Sequence, residues 1–423
     1  MSRPTPFAGG QPTGRPASVW GTLRGFPRPV WFLFLGTFIN RFGTFVIPFL
    51  TLHLTRLGYS VSASALALSA YGAGHLIASA VGGHLADTIG RRRTIVISMI
   101  ANAGGMLLLS QAEHLWLLVT LAFLTGLTGE FYRPASGALL ADLVPADQRV
   151  IGFAAYRFAI NAGWTFGPAV AGFLARHAYL WLFLGDALTS LAYGLIAFAF
   201  LPRDTRAASA GWGFVRSTAQ SLKETARTAL ADPRFGQLVL ATFAVALVFL
   251  QMLSALGLEI KAAGCSDQVY GLVLAVNGAL IVLFEIPLSG FTQRLPMRPV
   301  IAVGFACIGA GAGLYAWAGS PWEYALGMAV STLGEMLSMP VALAYLTRLA
   351  PEHMRGRYLG VYGLTWAGAL ACGPSLGMAL FAWKPAALWL SCAALGLIAA
   401  AIMAVPVKPE AVDGERITAP GPR

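Results

Sequence analysis

The stretch Gly129-Glu-Phe-Tyr-Arg-Pro134, followed by Ala141-Asp-Leu-Val-Pro145, Arg149, Tyr156 and Gly167-Pro168, decides the fold. Moved 206 positions along the chain, it meets itself. Pro134 falls on Pro340, Pro145 on Pro351, Arg149 on Arg355, Tyr156 on Tyr362 and Gly167-Pro168 on Gly373-Pro374. Residues 134–175 keep ten identities in this gapless register. A repeat at half the chain length that holds through Pro, Arg, Tyr and Gly-Pro reads as an internal duplication.

The repeated unit belongs in a membrane. Of 423 residues, 57% are hydrophobic and 11% charged, with a mean hydropathy of +0.67; a soluble domain carries roughly 25% charged residues. Twelve apolar stretches are long enough to span a bilayer: about 30–54, 62–86, 94–112, 115–141, 151–175, 179–201, 235–258, 269–291, 300–318, 322–347, 357–381 and 385–406. Six spans per copy is an even number, so both copies enter from the same side and are related by an axis along the membrane normal. The fold expected is an all-α integral membrane protein of twelve helices in two six-helix lobes. The lobes are 30–201 and 235–406, joined by a linker at 202–234 and flanked by tails at 1–29 and 407–423.

Charge fixes the orientation expected. With both termini cytoplasmic, inside loops and tails carry 22 of the 29 Lys and Arg residues, and outside loops carry Arg56, Arg176, Lys261 and Lys384. This satisfies the positive-inside rule and assigns the +11 net charge to loops facing anionic lipid rather than nucleic acid. The first tail, rich in Pro, Gly and Arg without a signal-like apolar core, reads as disordered. Within the linker, 221–230 reads as an amphipathic helix on the membrane surface.

The remaining Arg41, Arg133 and Arg157 lie inside helices. Each costs about 2.5–3.5 kcal/mol at a helix centre on insertion scales and so must face the bundle interior or a partner. Arg41 follows Asn40 in helix 1. Glu130 and Arg133 in helix 4 are three apart, on one helical face, and are expected to pair. In the second lobe Glu285 precedes Pro287 in helix 8, and Glu335 lies near the middle of helix 10. Glu335 is one residue off the Glu130 register, about 100° of helix rotation, so the two acids are related but not equivalent. Glu335 is read as an acid without a cation on its own helix; the competing reading caps it with Arg41 or another cross-bundle partner. Asp186, near the outer end of helix 6, ranks lower because it can snorkel outward. His75, inside helix 2, is a candidate to titrate, but the reading favoured is a packed neutral histidine.

Gly82-Gly83-His84-Leu85-Ala86-Asp87-Thr88-Ile89-Gly90-Arg91-Arg92-Arg93 resembles the loop 2–3 signature of the major facilitator superfamily, with Thr88 where a basic residue is usual. The resemblance implies that Asp87 docks on the start of helix 11, at Arg355–Tyr358, and that an arginine reaches Asp142 at the end of helix 4. Ser289–Gln293 and Arg298 form a worn second copy. Gly163, Gly167, Pro168 and Gly172 in helix 5 resemble the Gly-Pro signature of the superfamily's proton antiporters. The segment around Glu335 resembles helix 10 of multidrug:proton antiporters. These resemblances imply a plasma-membrane transporter, monomeric, that exports amphipathic or cationic small molecules in exchange for protons. Glu335, Glu130, Arg133, Arg41, Glu285, Arg157 and Asn40 are the coupling and substrate candidates. The alternative is a symporter or uniporter importing a sugar, carboxylate or peptide; a transporter-like receptor or membrane enzyme is more remote. Cys265, Cys307, Cys372 and Cys392 have no paired spacing, and no metal, cofactor or hydrolytic motif is expected.

Overall fold

The computed structural model describes residues 19–145, 148–203, 232–292, 294–350 and 355–406. In chain order the helices are α1 (Val19–Arg24), α2 (Arg28–Phe42), α3 (Val46–Arg56), α4 (Val61–Ile89), α5 (Arg91–Leu109), α6 (Leu115–Glu130), α7 (Tyr132–Leu143), α8 (Arg149–His177) and α9 (Leu180–Phe200). The second half holds α10 (Pro233–Ser254), α11 (Leu256–Ala262), α12 (Asp267–Thr292), α13 (Met297–Leu314), α14 (Pro321–Leu349), α15 (Arg355–Trp383) and α16 (Pro385–Ala404). Among the described residues twelve segments, counting α2–α3 and α6–α7 as one span each, are long and apolar enough to cross a membrane, and no strand occurs. Large apolar side chains such as Trp116, Leu188, Phe198 and Leu283 are exposed around the bundle, as lipid solvation requires.

Local chemistry sets the breaks. Pro48 has no N–H for the carbonyl of Thr44, and Pro134 none for that of Glu130; each span is interrupted there, at 43–45 and at Phe131. Gly90 separates α4 from α5 at φ +97°, a conformation that favours glycine. Ser60 caps α4 by accepting from the Ala63 N–H at 3.2 Å, and Glu323 in the first turn of α14 accepts from the Gly319 and Ser320 N–H groups. The tail expected to be disordered is helical at 19–24, and α2 begins at Arg28. Its first 18 residues, the 221–230 segment and the 407–423 tail lie outside the described residues.

Within each half, helices meet through small residues. A Cβ on Gly309 of α13 would stand 2.7 Å from Gly396 of α16, and one on Gly304 would stand 2.7 Å from the Gly334 carbonyl of α14. Close backbone approach of this kind replaces the hydrophobic drive that lipid does not supply. Arg92 donates to the Phe198 carbonyl and stacks over its ring, so α5 is tied to the end of α9. Arg298, 206 positions later, donates to the Met403 carbonyl at 3.1 Å and ties α13 to the end of α16. The duplication thus preserves a clasp that reading the loop motif alone does not reveal.

The halves meet along two seams, α4 on α15 and α8 on α12. At the end opposite the 82–93 loop the seams are tight. A Cβ on Gly72 would sit 2.3 Å from the Leu370 carbonyl, and one on Gly271 2.4 Å from the Pro168 carbonyl. Ser69 and Ser375 share a hydrogen bond of 2.8 Å across the first seam. At the basic end, Cβ atoms on Gly83, Gly290, Gly360 and Gly363 would meet nothing within 4 Å. The bundle is closed at one end and cleft at the basic end.

Candidate transport site

Glu335 projects from α14 at the second seam. Asn277 of α12 donates to its Oε2 at 2.7 Å and to the Thr332 hydroxyl at 3.0 Å. No ion pair reaches Glu335 among the described residues, whereas Glu285 on α12 faces Arg157 on α8 at 3.6 Å across the seam. Arg157, Asn161, Glu285, Glu335, Met336 and Met339 line a cavity of about 50 Å³. That volume admits water but is far below the roughly 300 Å³ of a drug-sized pocket, so a larger cargo requires the seam to open.

Arg41 does not cap Glu335. Its Nη2 donates to Glu130 Oε1 at 3.3 Å, and both side chains are at least nine-tenths buried. This also corrects the expected Glu130–Arg133 pair. Arg133 is exposed, and the ion pairs of Glu130 among the described residues are with Arg41 and His75. Tyr132, the first residue of α7, lies under the Arg41 guanidinium at 5.5 Å.

His75 is packed against this acid: its Nε2 stands 3.4 Å from Glu130 Oε2. Gly126 is packed so closely on α4 that a Cβ would fall 2.1 Å from the Tyr71 carbonyl. One turn further along each helix are Glu130 and His75, so the glycine contact brings acid and imidazole together. Asn40 turns into its lobe, 3.4 Å from both Ser190 Oγ of α9 and Met99 Sδ of α5. Asp186 does not snorkel: it is 4% exposed, and the break in span 1 lies beside it, the Phe45 ring standing 2.7 Å from where a Cβ on Gly185 would be. A half-helix N-terminus is a favourable site for an anion.

Arg91 forms an ion pair with Asp142 and donates to the Ala138 carbonyl at 2.7 Å, joining the 2–3 loop to the end of span 4. Asp87 is exposed, and the Arg355–Arg357 side chains expected to receive it lie outside the described residues. Gly163 and Gly167 lie against Arg41 and Phe42 of α2, with Cβ positions 2.7 and 2.5 Å from α2 backbone atoms, while Gly172 faces Gly271 across the seam. Among the described residues no group of His, Cys, Asp and Glu has metal-site geometry, and the four cysteines are free.

Two repeated helical lobes, cleft at one end, with ionisable side chains at their contact, define a secondary transporter architecture. The Major Facilitator Superfamily family model matches twice, at residues 33–264 and 238–421, and the chain belongs to that superfamily of membrane transporters. An uncharacterised MFS-type transporter of Bacillus subtilis, YhjO, is 27% identical over 358 residues, covering 83% of this chain and 86% of its own. A Na(+), Li(+), K(+)/H(+) antiporter of Planococcus maritimus is 26% identical, covering 82% and 87%. The quinolone resistance protein NorA of Staphylococcus aureus is 29% identical over 155 residues, 36% of this chain and 38% of its own. A peptide transporter POT shares the fold at TM-score 0.75 and 17% identity over 89% of this chain and 93% of that one. A D-xylose-proton symporter does so at 0.71 and 18%, over 88% and 96%.

Proposed function

We propose that this transporter exports amphipathic, cationic small molecules in exchange for protons, as a monomer in the plasma membrane. Lobes 30–201 and 235–406 rock about the site between them, with both termini and the cleft basic end cytoplasmic. Glu335 carries the reading. It is an acid at mid-span depth, held by a neutral amide rather than by a cation, on the seam that must open. An intramembrane acid so placed is costly when charged and marks a proton or cation pathway. A proton and a cationic cargo can then occupy it alternately, each displacing the other. The Planococcus antiporter and NorA are relatives whose names fit exchange and drug export. Import of an anionic nutrient is the second reading, favoured by Arg157, half-exposed at the same cavity.

The experiment is transport in proteoliposomes under an imposed pH gradient, with wild type and Glu335→Gln compared on a panel of lipophilic cations. Glu335→Gln keeps the shape of a protonated acid but cannot release a proton. Uphill accumulation is expected to collapse while downhill exchange survives. A variant that concentrates cargo as steeply as wild type defeats the proposal.

A further inference from the structure

Ser79, His75 and Glu130 form a file from surface to interior. Ser79 is exposed, the His75 side chain is 15% exposed and that of Glu130 5%. Ser69, Gly72, Ser79 and Gly83 follow helical spacing along one stripe of α4. The first two meet α15 at the closed end, so Ser79 and Gly83 face the cleft where the seam parts. His75 Nδ1 lies 3.5 Å from Ser79 Oγ, and its Nε2 lies 3.4 Å from Glu130 Oε2. That oxygen is buried and accepts no hydrogen bond among the described residues, while Oε1 is engaged by Arg41.

We propose that His75 is a second proton-binding site, distinct from Glu335, that relays protons between cleft water and Glu130. It rests on the proton-coupled reading above. A proton arriving from water at Nδ1 makes the ring an imidazolium. The ring then passes the proton on Nε2 to Glu130 Oε2, leaving a neutral imidazole with hydrogen on Nδ1 and a neutral carboxylic acid. Reversal returns the proton to the cleft. Histidine suits the task because both ring nitrogens exchange protons near physiological pH. Once Glu130 is neutral, Arg41 loses its counter-charge, and Arg41 lies directly against Gly163 of α8.

The charged and titratable groups around this site are Glu130 on α6, Arg41 on α2, Tyr71 on α4 itself, Tyr132 and Arg133 on α7, Tyr156 on α8 and Asp186 on α9. The neighbouring α3 carries His53 and Arg56 toward its far end, and α5 carries Arg91, Arg92 and Arg93 at its start. From Tyr358 to Trp383, α15 carries no Asp, Glu, Lys, Arg or His, and its titratable groups are Tyr358, Tyr362 and Cys372. Glu130 is therefore the anion that faces the ring.

The test is ring-nitrogen NMR of the full chain in nanodiscs with all six histidines labelled with nitrogen-15, titrated over about pH 5–9. One ring, absent from His75→Gln and His75→Asn alike, is expected to pass between neutral and cationic forms in that window. In Glu130→Gln its titration should be displaced or lost, whereas Glu335→Gln should leave it in place. A His75 ring that stays neutral throughout, or that titrates identically without the Glu130 carboxylate, overturns the proposal. Because neither readout requires cargo, a failure here is separable from failure of the export reading.

Discussion

One buried carboxylate bridges the two halves at the closed end, and removing it should tip the conformational balance. Asp267, at the start of α12, accepts from Arg56 Nη2 of α3 at 2.7 Å and from the Tyr179 hydroxyl at 2.8 Å; the Arg56 guanidinium also lies over the Tyr179 ring at 4.5 Å. Asp267 is nearly sealed, but Arg56 is 43% exposed, so screening limits the ion pair to about 0.5–1 kcal/mol. The phenol-to-carboxylate hydrogen bond contributes roughly 1.5 kcal/mol. If both contacts exist only when this end is closed, Asp267→Ala shifts the equilibrium toward opening by about 2 kcal/mol, or about 30-fold in the ratio of states. Electron-electron distance measurement reads that ratio directly. Spin labels at Gln111 and Lys384, on opposite lobes, would be placed in a chain whose four cysteines have been replaced. The longer distance should gain population in the variant. A ratio changed by less than about threefold, roughly 0.7 kcal/mol, would show that the latch does not hold this end shut.

Two further outcomes are expected. Gly163→Val forces a side chain onto Arg41 and the Phe42 backbone, 2.7 Å away, whereas Gly360→Val meets nothing. Overpacking costs about 1–3 kcal/mol, so the first should melt well below the second in detergent; matching melts would refute the close approach of α8 to α2. Glu259, on α11 outside the spans, has its carboxyl pushed up by burial, partly offset by the hydrogen bond from Trp389 Nε1 at 3.0 Å. A folded-state value above the unfolded one means stability declines as pH rises from the ordinary carboxylate range through the raised value. Glu259→Gln keeps an acceptor for Trp389 and should match wild type in acid but melt higher above neutrality. A gap that does not widen with pH would contradict this.

How much was legible in the sequence follows from the range of each interaction. The spans were legible because lipid demands long apolar helices, and the duplication because Pro and Gly-Pro punctuate both copies. The Arg91–Asp142 pair was reachable through a motif. The partner of Glu130 was not, since spacing along one helix suggested Arg133, whereas the cation that reaches it, Arg41, comes from another helix. Pro134 signals only the break after Glu130, because it leaves the Glu130 carbonyl without its helical donor. His75 meets Glu130 through the Gly126–Tyr71 contact between two helices, which no single-helix pattern encodes. The burial of Asp186 has a similar cause: the α2–α3 break packs beside it, a contact between helices far apart in sequence.

The clasps made by Arg92 and Arg298 bear on how the machine divides its labour. Each joins the third span of a half to the last turn of its own sixth span, so each half is braced without reference to the other. Strain arriving at the seam is then shared by a whole lobe instead of bending one helix. The seam itself, where glycine backbones lie bare against one another, has few interlocking side chains to unpick. Under the proposed rocking it would act as a bearing surface, with change confined to polar contacts such as Ser69–Ser375 and Arg56–Asp267.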